Sequence, residues 1–109
     1  MDEHTSIADM DIADRPRERL LALGADRMRD AELLAVVIGS GTAAQSSLEL
    51  ARAMLKKAGG PARLARCTPA ELMDTHGVGP AVALRIVAGL QLGRRAAARS
   101  ADLPGATGG

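Results

Sequence analysis

Gly77-Val78-Gly79 is the stretch of this 109-residue chain whose residue types and spacing bear most directly on chemistry. Pro80 follows it and can open a helix, because the amide hydrogen it lacks would have no partner there anyway. Glycines on both sides of Val78 let the backbone approach another molecule closely. The amides of Val78, Gly79 and Ala81 are expected to lie unpaired at the positive end of the following helix. Such an arrangement grips a phosphate oxygen without a charged side chain. The same residues also suit a plain αα-hairpin in which Val78 fills the gap between two helices. His76, beside the turn, has two roles open to it: donor to a phosphate when protonated, or helix-ending side chain bonded to its own backbone.

A second glycine motif lies upstream. Gly39-Ser40-Gly41-Thr42-Ala43-Ala44 follows the apolar run Leu33 to Ile38 and fits the G-x-G-x-x-A form of the dinucleotide fingerprint. That fingerprint needs a strand before it and an acidic residue about 20 positions further on to hold the ribose. The corresponding region is Gly59-Gly60-Pro61-Ala62-Arg63, which has no acid, so nucleotide binding is disfavoured. Catalytic zinc needs three protein ligands and an open position. One cysteine cannot make a zinc site and the chain has only two histidines, His4 and His76, so no metal, no cofactor and no catalytic residue is expected. A single cysteine excludes an internal disulfide, makes a reducing cytoplasm the simple expectation, and leaves Cys67 as a small core filler.

The elements that must position these residues are helical. There is no Phe, Tyr or Trp, so the core must be built from Leu, Ile, Val, Met and Ala, which suits packed helices better than a sheet. The same absence argues against gripping single strands by base stacking. No apolar run approaches a membrane span, and the acidic amino terminus is unlike a signal peptide. The net charge of +1 conceals an asymmetry: Asp2, Glu3, Asp9, Asp11 and Asp14 precede the first basic residue, which leaves residues 15–109 with a net +6. A basic body behind an acidic leader fits a polyanionic partner.

Taken in order, residues 1–14 lack a helical period and read as a flexible leader, with Ile7, Met10 and Ile12 as docking points. Pro16 to Leu23 reads as a first helix closed by Gly24 in the left-handed region. Its arginines either face phosphates or form a solvated face. Asp30 is the expected cap of a second helix with Ala31, Leu34, Val37 and Ile38 as its apolar stripe. Ser46 and Glu49 form a capping box for a third, with Leu48, Ala51, Leu55 and Ala58 on one face. A short turn around Leu64 leads to Thr68, Pro69 and Glu71, another capping box, whose helix should stop at His76-Gly77. The last helix carries Ala83, Ile86, Val87 and Leu90 on one face. Ala31-Glu32-Leu33-Leu34 precedes the first Gly-x-Gly as Ala70-Glu71-Leu72-Met73 precedes the second, so the chain reads as an all-α, small helical domain of two tandem helix-hairpin-helix units.

Arg15-Pro16-Arg17-Glu18-Arg19-Leu20-Leu21, then Asp30-Ala31-Glu32-Leu33-Leu34 with Ile38-Gly39-Ser40-Gly41-Thr42, then Gly77-Val78-Gly79-Pro80-Ala81 through Leu92-Gly93-Arg94-Arg95, resemble the amino-terminal helix-hairpin-helix domain of the bacterial RadC family. The resemblance covers about residues 12–95. It implies a helical domain at 15–96, with the hairpin at 69–92 and a flexible tail at 97–109, that binds the DNA backbone, duplex or branched, without reading sequence. Gly77, Val78, Gly79 and Ala81 would hold phosphate. Family members place a lysine where Val82 stands; Arg85, one turn further, is the expected substitute. The family's JAB/MPN metalloprotease-like domain carries a His-x-His motif absent here, so no enzyme activity is expected. The other expectation is an accessory domain that docks a JAB/MPN-domain protein.

Overall fold

The computed structural model describes residues 15–39 and 45–104. The expected leader, most of the first glycine loop and the last five residues lie outside that range. Every regular element among the described residues is a helix. α1 (Pro16–Leu23) starts with its proline in the first turn and ends where the Gly24 amide donates to the Leu20 carbonyl at 2.9 Å. Gly24 takes φ 84° but ψ 158°, so it turns the chain with an extended ψ rather than in the left-handed helical conformation expected. One 3-10 turn (Ala25–Arg27) then leads through the buried Met28 to α2 (Asp30–Ile38).

Asp30 was the expected cap of α2, yet it is the first helical residue and Arg29 is the flanking one. The reason is Glu32, whose Oε1 accepts from the Arg29 amide at 2.9 Å and draws that residue into the helix start. The apolar stripe is also rotated from its expected position: Leu34, Ala35 and Ile38 are buried, while Val37 is 39% exposed. The run Leu33 to Ile38 is thus helix, and the strand that a dinucleotide site requires is absent there.

α3 (Ser47–Ala58) has the expected reciprocal cap: Ser46 Oγ accepts from the Glu49 amide at 3.1 Å and Glu49 Oε1 from the Ser46 amide at 3.0 Å. It ends on Gly59, which is left-handed at φ 94°, ψ 27°. α4 (Pro61–Leu64) is one turn that buries Leu64. Thr68 and Glu71 repeat the reciprocal cap at α5 (Pro69–Met73), which stops before the expected His76-Gly77. There the amides of Asp74 and Thr75 bond three residues back, to the carbonyls of Glu71 and Leu72, and the tightened turn cannot continue as α-helix. α6 (Pro80–Ser100) runs 21 residues, so residues 97–100, read as the start of the tail, are helical.

α2 packs on α3 and on α6, α5 packs on α6, and α1 and α4 attach to α2 and α3. The core consists of Leu34, Ala35, Ile38, Leu50, Ala51, Met54, Leu64, Leu72, Val78, Ala83 and Ile86, and no polar or charged residue among the described ones is buried. Burial of these aliphatic chains is what holds the helices together, at roughly 1.5–3 kcal/mol for each large one. α6 joins this core only through its first half, since residues 91–100 are all exposed.

Candidate nucleic-acid interface

The second glycine hairpin is positioned from both sides by buried residues. Leu72 of α5 and Ala83 and Ile86 of α6 belong to the core, and Val78, 6% exposed, is inserted between them at the tip of the turn. Gly77 has φ +94°, the left-handed region that a side chain resists, so the turn requires glycine there. Gly79 differs. Its φ −92° and ψ 179° are ordinary extended backbone, and nothing lies within 4 Å of where a Cβ would sit. The fold therefore has no need of glycine at that position.

Of the three amides expected to be unpaired, Val78 is not: it donates to the Thr75 carbonyl at 3.1 Å, because burying its side chain turns its N–H back over the preceding turn. The amides of Gly79 and Ala81 find no acceptor among the described residues, and that of Val82 joins them in the first turn of α6. No acidic residue lies in that first turn. These donors stand at the positive end of a 21-residue helix. His76 is exposed, and its ring makes no hydrogen bond among the described residues, so the self-bonded role does not hold.

Arg85 is placed by a contact that local sequence does not reveal. Its Nη2 donates at 2.8 Å to the carbonyl of Ile38, the last residue of α2. A Cβ on Gly39 would lie 3.9 Å from the same atom. The guanidinium thus closes the carbonyl end of α2 and ties the start of α6 to it. One donor of five is committed in this way, and a side chain so anchored has already lost the rotamer freedom that a free lysine would lose on meeting a phosphate. Away from the hairpin, Arg19 pairs with Glu32 across α1 and α2. Glu32, Glu49 and Glu71 are all held below the usual carboxylate range, in each case first by the backbone amide that their cap engages, at Arg29, Ser46 and Thr68 respectively.

No set of three or more His, Cys, Asp or Glu side chains among the described residues could hold a metal ion. Nor is any described helix long and apolar enough to cross a membrane. Cys67 is half-buried, packed against the core with its Sγ 3.5 Å from the Arg63 carbonyl. The family model for the UPF0758 N-terminal domain matches residues 7–84 of the chain. The chain belongs to the UPF0758 family. This is the RadC-like family whose motifs its sequence resembles. A UPF0758 protein of Psychrobacter cryohalolentis is 42% identical over 90 residues, which cover 83% of this chain and 40% of the relative. One of Desulforudis audaxviator is 42% identical over 99 residues, 91% of this chain and 43% of the relative. One of Syntrophomonas wolfei is 46% identical over 91 residues, 83% and 39% respectively. The UPF0758 domain described here spans about 40% of the length of these curated relatives. No solved structure matches it.

Proposed function

We propose that this UPF0758 domain is a non-catalytic, sequence-independent DNA-binding module of the helix-hairpin-helix kind, which holds the phosphate backbone on the turn before α6. The observation that carries this reading is Gly79. Its backbone conformation is ordinary and a Cβ there would meet nothing, yet the residue is glycine, beside amides without acceptors among the described residues at a long helix's N-terminus. A residue that the fold does not constrain is explained by what must come close to it. Phosphate is the partner chemistry that fits uncommitted backbone donors and a basic body without aromatic side chains.

The test is binding of the purified chain to a labelled duplex and a branched DNA at low and moderate salt, beside a Gly79→Glu variant whose helix content is checked by far-UV circular dichroism. The reading expects binding that weakens as salt rises and is lost in the folded variant, where a carboxylate occupies the phosphate position. Undiminished binding by the variant removes the hairpin from the interface, and absence of binding at low salt removes DNA.

One further observation favours a second reading, docking of a JAB/MPN-domain protein: the curated relatives are more than twice as long as the matched region. An apolar groove of about 260 Å³ lined by Leu33, Val37, Leu55 and Leu90 is the surface that such a partner would cover. Docking there predicts binding insensitive to salt and to Gly79→Glu but weakened by Val37→Asp.

A further inference from the structure

The second hairpin brings few cations of its own, since Val82 stands in the first turn of α6 and Arg85 is engaged on Ile38. The basic side chains gather elsewhere. Arg15 and Arg52 line a cleft of about 460 Å³ at the start of α3. Arg19, Arg29 and Arg52 line a second, of about 330 Å³, between α1, α2 and α3. Leu48 and Arg52 line both, so the two clefts adjoin, and together they are termed the arginine trough.

Among the described residues, the two acids that line this trough are already committed. Glu49 is bonded to the Ser46 amide, and Glu32 to the Arg29 amide and the Arg19 guanidinium. Glu18, in the groove beyond Arg15, has a buried carboxylate oxygen with no hydrogen-bond partner among the described residues. Of the four arginines in the trough only Arg19 is in an ion pair among the described residues; Arg15, Arg29 and Arg52 are in none, and all three are exposed. They are spread along adjoining clefts rather than converging on one point. A single small anion would satisfy one of them, whereas a chain of phosphates presents an acceptor to each.

We infer that the arginine trough formed by Arg15, Arg29 and Arg52 is a second phosphate-contact surface, across which a nucleic-acid backbone lies in addition to its grip on the turn before α6. The inference rests on the nucleic-acid reading above but not on the hairpin's part in it. Arg85 and Gly39 connect the two surfaces: the first groove beyond the trough is lined by Arg15, Arg17 and Gly39, and Arg85 reaches the backbone at that point.

The experiment is fluorescence anisotropy of a labelled duplex titrated with the full chain at a series of salt concentrations, for the parent, for Arg15→Gln/Arg29→Gln/Arg52→Gln, and for Gly79→Glu, each checked by circular dichroism. Each phosphate contact contributes about 0.9 to the slope of log K against log salt, so the triple variant is expected to lose roughly 2–3 from that slope. Should the triple variant lose helix content, Arg52→Gln alone is read, with an expected loss of about 0.9. A folded triple variant with the parent's slope overturns the trough. If Gly79→Glu abolishes binding while the arginine variants match the parent, the hairpin stands and the trough falls. If the arginine variants flatten the slope while Gly79→Glu binds normally, the trough stands alone. A parent that does not bind at low salt overturns both.

Discussion

Two glycines with a single residue between them have opposite obligations, and stability measurements separate them. Gly77 sits at φ +94°, so Gly77→Ala forces a side chain into the left-handed region and is expected to cost about 1–2 kcal/mol. Gly79→Ala meets nothing and has ordinary backbone angles, so its Tm should stay within a degree or two of the parent or rise slightly. A thermal melt of both variants beside the parent checks the contrast; equal losses would mean that the turn constrains both positions. Gly79→Ala should then still weaken DNA binding if a phosphate approaches the backbone there. Arg85→Gln is expected to destabilise by about 1 kcal/mol through loss of the donor that closes α2 at Ile38, measurable in urea unfolding as a lower midpoint with unchanged slope. Arg85 shows where local pattern stops: its position on the helix suggested a phosphate contact, and only the fold reveals that 47 residues separate it from the carbonyl it binds.

Helix starts carry much of what is legible in this chain. The reciprocal caps at Ser46 and Glu49 and at Thr68 and Glu71 were readable from residue type and spacing, because the capping interaction spans only three residues. Ser46→Ala or Thr68→Ala should each cost about 1 kcal/mol, a fall in Tm of about 4–8 °C for a domain of this size. The start of α2 and the end of α5 differ by a residue or more from what residue type suggests, since each is decided by competing bonds that the sequence permits equally: Glu32 back to Arg29, and the tightened turn at Asp74 and Thr75. The caps also set a pH dependence. Glu32, Glu49 and Glu71 have lowered pKa values in the folded chain, so their contribution is complete above the ordinary carboxylate range and is lost as pH falls through the folded values below it. Tm measured from pH 6 to pH 3 should therefore decline in acid, and Glu49→Gln/Glu71→Gln, which keeps a capping acceptor but cannot titrate, should decline less steeply.

At the scale of the molecule the all-α architecture followed from composition, because a chain without aromatic residues can bury only aliphatic side chains and does so most readily between helices. Which face of α2 turns inward was less legible: Ala35 and Val37 compete for the same rotation, and the packing of α3 and α6 on α2 decides for Ala35. Packing predicts two opposite failures at one helix. Ile86→Ala leaves a cavity and should cost about 2–5 kcal/mol, while Ala83→Leu overfills a position with no exposed surface and should cost about 1–3 kcal/mol. Urea midpoints of the two variants check both. The shape of α6 adds something that neither variant touches. Its first half is clamped in the core, whereas residues 91–100 are all exposed and contribute no residue to the core among the described ones, so their helix rests largely on local propensity. Heating should therefore unwind that end gradually from Ser100 inward while the body melts in one cooperative step. Ellipticity at 222 nm would slope before the main transition, and amide hydrogens there would exchange long before those of Ala83 and Ile86. An unfolding midpoint taken from helix signal alone would then mix two processes, and a core-based probe would give the higher temperature.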